Sequence, residues 1–110
     1  MDIIADFSPL GGRCMVRING EFAAGANVVF MRARNYIDNV FTASEYRRLG
    51  CARALLEKIL SECINGKRFE LEVYPDNDAA ISLYESLGFK IVSPKPDRHG
   101  LLKMIKEVQK

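Results

Sequence analysis

Along this chain, apolar and polar residues alternate in some stretches and recur at helical spacing in others. From Arg13, the residues Cys14, Val16 and Ile18 alternate with Met15 and Arg17, the period of a strand with one buried face. Asn19-Gly20 follows. This pair supplies the two positive φ angles of a type I′ turn and predicts a hairpin. Glu21 to Met31 is then the returning strand, with a bulge expected at Gly25, where the missing side chain weakens regular pairing. Arg32 to Asn35 is a polar connection. Tyr36 to Thr42 predicts a third strand, with Ile37, Asn39 and Phe41 on one face and Asp38, Val40 and Thr42 on the other. Before all this, Met1 to Gly12 is weakly patterned and reads as the end of a helix or a frayed tail.

Beyond the loop Ala43 to Leu49 the period changes. From about Gly50, apolar residues fall at Ala52, Leu55, Leu56, Ile59, Leu60 and Cys63, one face of a helix, with Arg53, Glu57, Lys58 and Glu62 on the other. Asn65-Gly66 is suited to the left-handed C-cap that ends it. Phe69, Leu71 and Val73 then alternate with Glu70, Glu72 and Tyr74 as a strand. A strand, a helix and a strand in this order form a βαβ unit, so Tyr36–Thr42 and Phe69–Val73 are expected to run parallel. Pro75-Asp76 stops the strand, and Asn77 or Asp78 can cap a second helix. Ala80, Leu83, Tyr84 and Leu87 make its buried stripe and Gly88 its exit. Lys90–Val92 and Leu101–Val108 form a closing hairpin across the turn region that holds Pro94, Pro96 and His99.

Composition changes this picture little. The chain has 110 residues, enough for one domain, 1–110, with a real core. A formal net charge of +2 is too small to argue for nucleic acid or a membrane surface. No apolar run approaches about 18 residues, so no spanning helix is expected, and Asp2 and Asp6 replace the basic start of a signal peptide. Cys14, Cys51 and Cys63 are odd in number and widely spaced beside a lone histidine. That pattern excludes a zinc cluster, so no metal is expected, and it fits a reduced cytoplasm.

The chemistry centres on Arg47 to Phe89. Arg47-Arg48-Leu49-Gly50-Cys51-Ala52 is a turn of small and basic residues feeding a helix N-terminus. Such a terminus offers unpaired N–H groups and a favourable dipole to phosphate. Arg47-x-x-Gly50-x-Ala52 resembles the Q/R-x-x-G-x-G/A loop of the GNAT N-acetyltransferase superfamily, which holds the coenzyme A pyrophosphate. Asn77-x-x-Ala80-x-x-Leu83-Tyr84-x-x-x-Gly88-Phe89 resembles that superfamily's second motif. The two motifs and the strand between them cover about half of the chain.

The resemblance implies an α+β fold: a mostly antiparallel sheet with one splayed parallel strand pair and two main helices, the coenzyme lying in the splay. It implies acetyl-CoA as co-substrate, with Arg47, Arg48, Leu49, Gly50, Cys51 and Ala52 at the pyrophosphate, and backbone groups of Val40, Phe41 and Thr42 on the pantetheine arm. Asn77 would contact the pantetheine region, and Tyr84 would protonate the departing thiolate. Asp38, the carboxylate on the strand before the loop, is the candidate base for the amine. Cys51, with no histidine near in sequence, is read as a small apolar filler rather than a nucleophile.

The superfamily usually begins with a strand and two helices that help wall the acceptor pocket. Met1 to Gly12 is too short for them, so an abbreviated fold lacking the usual first strand and helices is expected. Its exposed edge would favour a homodimer. Function is expected to be N-acetyl transfer to a primary amine of a small molecule or peptide. The alternatives are a non-catalytic acyl-CoA-binding module or a degenerate remnant of the family.

Overall fold

A computed structural model describes residues 1–8, 11–62 and 68–108. Seven strands form one sheet in the order β1-β2-β3-β4-β5-β7-β6. These are β1 (Asp2–Ser8), β2 (Gly11–Ile18), β3 (Glu21–Phe30), β4 (Asn35–Thr42), β5 (Arg68–Val73), β6 (Lys90–Ile91) and β7 (Leu102–Glu107). Helix α1 (Cys51–Glu62) lies between β4 and β5 in the chain, and α2 (Asp78–Ser86) between β5 and β6. Neither is long and apolar enough to cross a membrane. All pairings are antiparallel except β4 with β5.

The meander forms for the reasons its sequence advertises. Asn19 and Gly20 take φ of 52° and 81°, and β2 and β3 pair from Ile18↔Glu21 onward. Helix α1 packs across β1 to β4, burying Cys51, Leu55, Leu56 and Ile59 over Cys14, Val16, Ala26, Val28 and Ile37. The C-terminal half is built on β5, whose Leu71 and Val73 pair with Met104 and Leu102 of β7, all four buried. Cys63, Asn65 and Gly66, expected to finish α1, lie outside the described residues.

Three expectations are corrected. Asp2–Ser8 is neither a helix end nor a frayed tail: it pairs along its whole length with β2, and Phe7 meets Phe30 with ring centroids 5.9 Å apart. A strand therefore does stand beside β2, and no helix separates the two, since only residues 9 and 10 join them. The open edge invoked for a homodimer lies at β1 instead, whose alternate residues Asp2 and Asp6 are charged and exposed, a feature that discourages edge pairing.

The third correction concerns the faces of β4. Gly25 pairs with Phe41 and Asn27 with Asp38, so Ala26 alone opposes both Asn39 and Val40. The irregularity falls near Gly25 as expected, but the extra residue belongs to β4, where Asn39 adopts φ 58°. A bulge of this kind reverses the in-out alternation beyond it. Ile37 is buried before it, Val40 and Thr42 turn inward after it, and Phe41 is exposed. Ile37, Asn39 and Phe41 therefore do not share a face.

Candidate functional site

The sheet opens where β4 and β5 part. They are paired only at Asn35↔Phe69 and Tyr36↔Glu70. Beyond Tyr36, β4 keeps its partner β3 on one side and, among the described residues, has no paired strand on the other. A cleft of about 250 Å³ fills the gap, lined by Asp38, Asn39 and Val40 of β4, by Glu72 and Val73 of β5, and by Asn77 and Tyr84. The bulge at Asn39 interrupts the ladder beside this cleft, which leaves backbone groups available there.

Tyr84 reaches the cleft from α2. It is 6% exposed and lies edge-on to Phe89, with ring centroids 6.1 Å apart at 62°. Burial pushes its phenol above the ordinary tyrosine value, so the group keeps its proton at neutral pH. Asn77 caps α2 by accepting a hydrogen bond from the Ala80 N–H at 3.2 Å. Asn77 also lines the cleft, and its amide NH₂ is not used by the cap. The two motif residues of this helix thus converge on one cavity.

The Arg47–Gly50 turn leads into α1. Gly50 takes φ 78°, a conformation that strains any residue with a Cβ, and its carbonyl accepts the first helical bond from Ala54 at 3.0 Å. The N–H groups of Cys51, Ala52 and Arg53 therefore have no partner within the helix. Arg47, Arg48 and Leu49 are exposed. Arg48 is itself left-handed at φ 68°, and neither guanidinium has a protein partner among the described residues. Cys51 points into the core with 1% exposure, which agrees with the filler reading. Arg53 donates to Ser86 Oγ at 2.7 Å and ties the start of α1 to the end of α2.

Other predicted residues are placed less centrally. Asp38 borders the cleft but is exposed. The Phe41 side chain stacks on Phe22 with centroids 6.1 Å apart, so only its backbone can serve the cleft. Thr42 is half-buried and pairs with Ala24 on β3. His99 is exposed in the loop before β7, as expected.

What the sequence reading missed is the polar face of β5. Glu72 lines the cleft, and its Oε1 accepts a hydrogen bond from the Tyr36 hydroxyl at 2.6 Å. The same two residues line a second cavity of about 610 Å³ on the approach to the splay, with Arg34, Asp97, Arg98 and Lys103. Tyr36 and Glu72 therefore sit where the two cavities meet. Alternation marked Glu70 and Glu72 as polar positions without showing that their neighbours would be Arg34 and Tyr36. The usable signal was that a strand expected to pair in parallel with β4 carries carboxylates at two successive positions of its polar face, Glu70 and Glu72.

A family model described as the acetyltransferase (GNAT) family matches residues 2–89. Among curated relatives, an N-alpha-acetyltransferase of Sulfurisphaera tokodaii is 34% identical over 84 residues, covering 74% of this chain and 50% of that protein. The [ribosomal protein bS18]-alanine N-acetyltransferase of Escherichia coli K12 is 41% identical over 75 residues, covering 64% of this chain and 49% of that one. The chain spans about half the length of these relatives. The crystal structure of the Escherichia coli ribosomal-protein-S18-alanine N-acetyltransferase superposes with a TM-score of 0.82 at 28% identity, covering 94% of this chain and 72% of that one. A Salmonella typhimurium protein, yncA, described as a putative acetyltransferase with its cofactor acetyl-CoA, superposes at 0.79. It covers 91% of this chain and 66% of its own, and at 19% identity that likeness concerns the fold alone.

Proposed function

The chain belongs to the acetyltransferase (GNAT) family, and from that premise we propose that it moves an acetyl group from acetyl-CoA to a primary amine, the α-amine of a polypeptide being the first acceptor to test. The observation that carries this reading is the cleft between β4 and β5, with the Tyr84 phenol in its wall and the Glu72 carboxylate at its mouth. Acetyl-CoA supplies the activated thioester. The α1 N-terminus suits its pyrophosphate: three amides lack helical partners, Gly50 and Ala52 are small, and the Arg47 and Arg48 guanidiniums are unpaired among the described residues. The unpartnered edge of Val40–Thr42 and the Asn77 amide suit the pantetheine arm.

Direct transfer needs one proton removed from the amine and one delivered to the leaving thiolate. In this reading Tyr84, kept protonated by burial, delivers the second. Glu72 receives the first, because it lies at the junction through which an acceptor would reach the cleft. A backbone N–H at the bulge by Val40 polarises the thioester carbonyl. Asp38, on the rim, is the competing base. The free buried thiols Cys14 and Cys51 suit a reducing compartment, in keeping with a cytoplasmic protein.

The test is thiol release from acetyl-CoA with a panel of peptide and small-molecule amines. Turnover with at least one acceptor is expected, with kcat lowered about 10²- to 10⁴-fold by Glu72→Gln or Tyr84→Phe and coenzyme affinity retained. Coenzyme binding without thiol release for any acceptor would establish a binding module instead. Full activity in Glu72→Gln with loss in Asp38→Asn would transfer the base to Asp38.

A further inference from the structure

We propose that Tyr36 is a positioning residue, clamped by Arg34 and fixing the Glu72 carboxylate at the mouth of the cleft through its hydroxyl. The inference rests on the reading of Glu72 as the group that takes the amine proton.

Tyr36 occupies the last paired position of β4 with β5. Its side chain therefore leaves the backbone at the point where the strands begin to separate, and the ladder anchors its Cα. The hydroxyl donates to Glu72 Oε1 at 2.6 Å. A glutamate side chain has several rotatable bonds, and at the edge of an open cavity it samples many rotamers unless a partner selects one. Tyr36 is that partner. Burial, reinforced by the Glu72 hydrogen bond, pushes its own pKa well above the ordinary tyrosine value, so it remains a donor throughout the pH range in which an amine acetyltransferase would work.

Tyr36 is itself held. The Arg34 guanidinium carbon lies 5.6 Å from the centroid of the Tyr36 ring, within reach of a cation–π contact. Arg34 is anchored in turn: its Nη1 donates to Glu70 Oε1 at 3.0 Å. Glu70 is 1% exposed and also receives Arg68 Nε at 3.0 Å and approaches Lys103 Nζ at 3.6 Å. A buried carboxylate thus fixes a guanidinium, the guanidinium backs an aromatic ring, and the ring's hydroxyl aims a second carboxylate two residues along the same strand. Other charged groups border Glu72: Asp38 on β4, Lys103 on β7 as its register partner, and Asp97, Arg98 and His99 in the loop before β7. Of these, the Asp97 carboxyl is also within hydrogen-bonding reach of Glu72, whereas Tyr36, donating at 2.6 Å, is a partner that keeps its proton and so always presents a donor.

Tyr36→Phe tests this, because it removes the hydroxyl while keeping the ring against Arg34. The expected result is a kcat lowered between about tenfold and a hundredfold, with KM for acetyl-CoA unchanged, and no further loss when the change is added to Glu72→Gln. An unchanged kcat, a loss confined to the KM for acetyl-CoA, or an equal loss in both backgrounds would overturn the inference. Full activity in Glu72→Gln would sink the base assignment itself. A spectroscopic readout keeps the two failures apart even without turnover. Carbon-13 NMR of the side-chain carboxyls should show the Glu72 resonance moving in both Tyr36→Phe and Arg34→Met. A Glu72 resonance unmoved in both refutes the clamp.

Discussion

At Leu71 and Glu70 the two faces of β5 are closed to water for different reasons. On one, Phe69, Leu71 and Val73 pack into the core beside Met104 and Leu102, and their burial is driven by the removal of apolar surface from water. On the other, Glu70 is as buried as Leu71, each at 1% exposure, yet it is surrounded by cations whose side chains remain 32% (Arg34), 42% (Arg68) and 49% (Lys103) exposed. A carboxylate taken from water alone would cost several kcal/mol, so this face holds only as a network. A wall of charge can thus be as closed as a wall of hydrocarbon, but its stability depends on protonation and it can aim polar groups at a site. Glu72, two residues from Glu70, lies on that second face.

The contrast can be broken at either face. The largest stability effect is expected from Leu71→Ala, about 2–5 kcal/mol in urea unfolding, with the same loss at every pH because no titrating group is touched. Glu70→Gln should cost less at neutral pH, about 1–3 kcal/mol, because its partners can turn to solvent. It should also change the acid limb of the stability curve. Burial alone would raise the Glu70 carboxyl's pKa, but hydrogen bonds from Arg68 and Arg34 and their charges outweigh it and hold the carboxyl below the usual range. A depressed folded-state pKa gives stability that is complete above the unfolded value of about 4.3 and is lost as pH falls through the lower folded value. Unfolding free energies at pH 7 and pH 3 should therefore converge between the protein and Glu70→Gln, while the Leu71→Ala gap stays constant. A constant Glu70→Gln gap would mean that the two faces are stabilised alike.

The smallest effect is expected at the far side of the cleft. Asn77→Ala removes the bond to the Ala80 N–H and should cost about 1 kcal/mol of stability. A weakened affinity for acetyl-CoA beyond that shift, measured by calorimetry, would reveal the second use of this amide. Affinity unchanged in a folded variant would leave Asn77 as a cap alone.

Local chemistry was enough for much of this architecture. Asn19-Gly20 fixes the β2–β3 hairpin, the spacing of Leu55, Leu56 and Ile59 sets the buried face of α1, and Asn77 and Gly88 bound the second helix. Each involves residues within a turn or two of one another, so the sequence alone determines them. The order of strand, helix and strand likewise implied the parallel pairing of β4 with β5. Tertiary structure decided the rest. Asp2–Ser8 has a weak pattern of its own and becomes a strand because β2 offers a ladder. Asn39 bulges because β3 supplies one residue against two, and that reverses the faces of Val40 and Phe41. The polar face of β5 joins Arg34 to Glu70 and Tyr36 to Glu72 across 36 positions of chain. Periodicity marks those glutamates as polar and is silent on their partners, because a hydrogen bond between distant residues exists only once the sheet has brought them together.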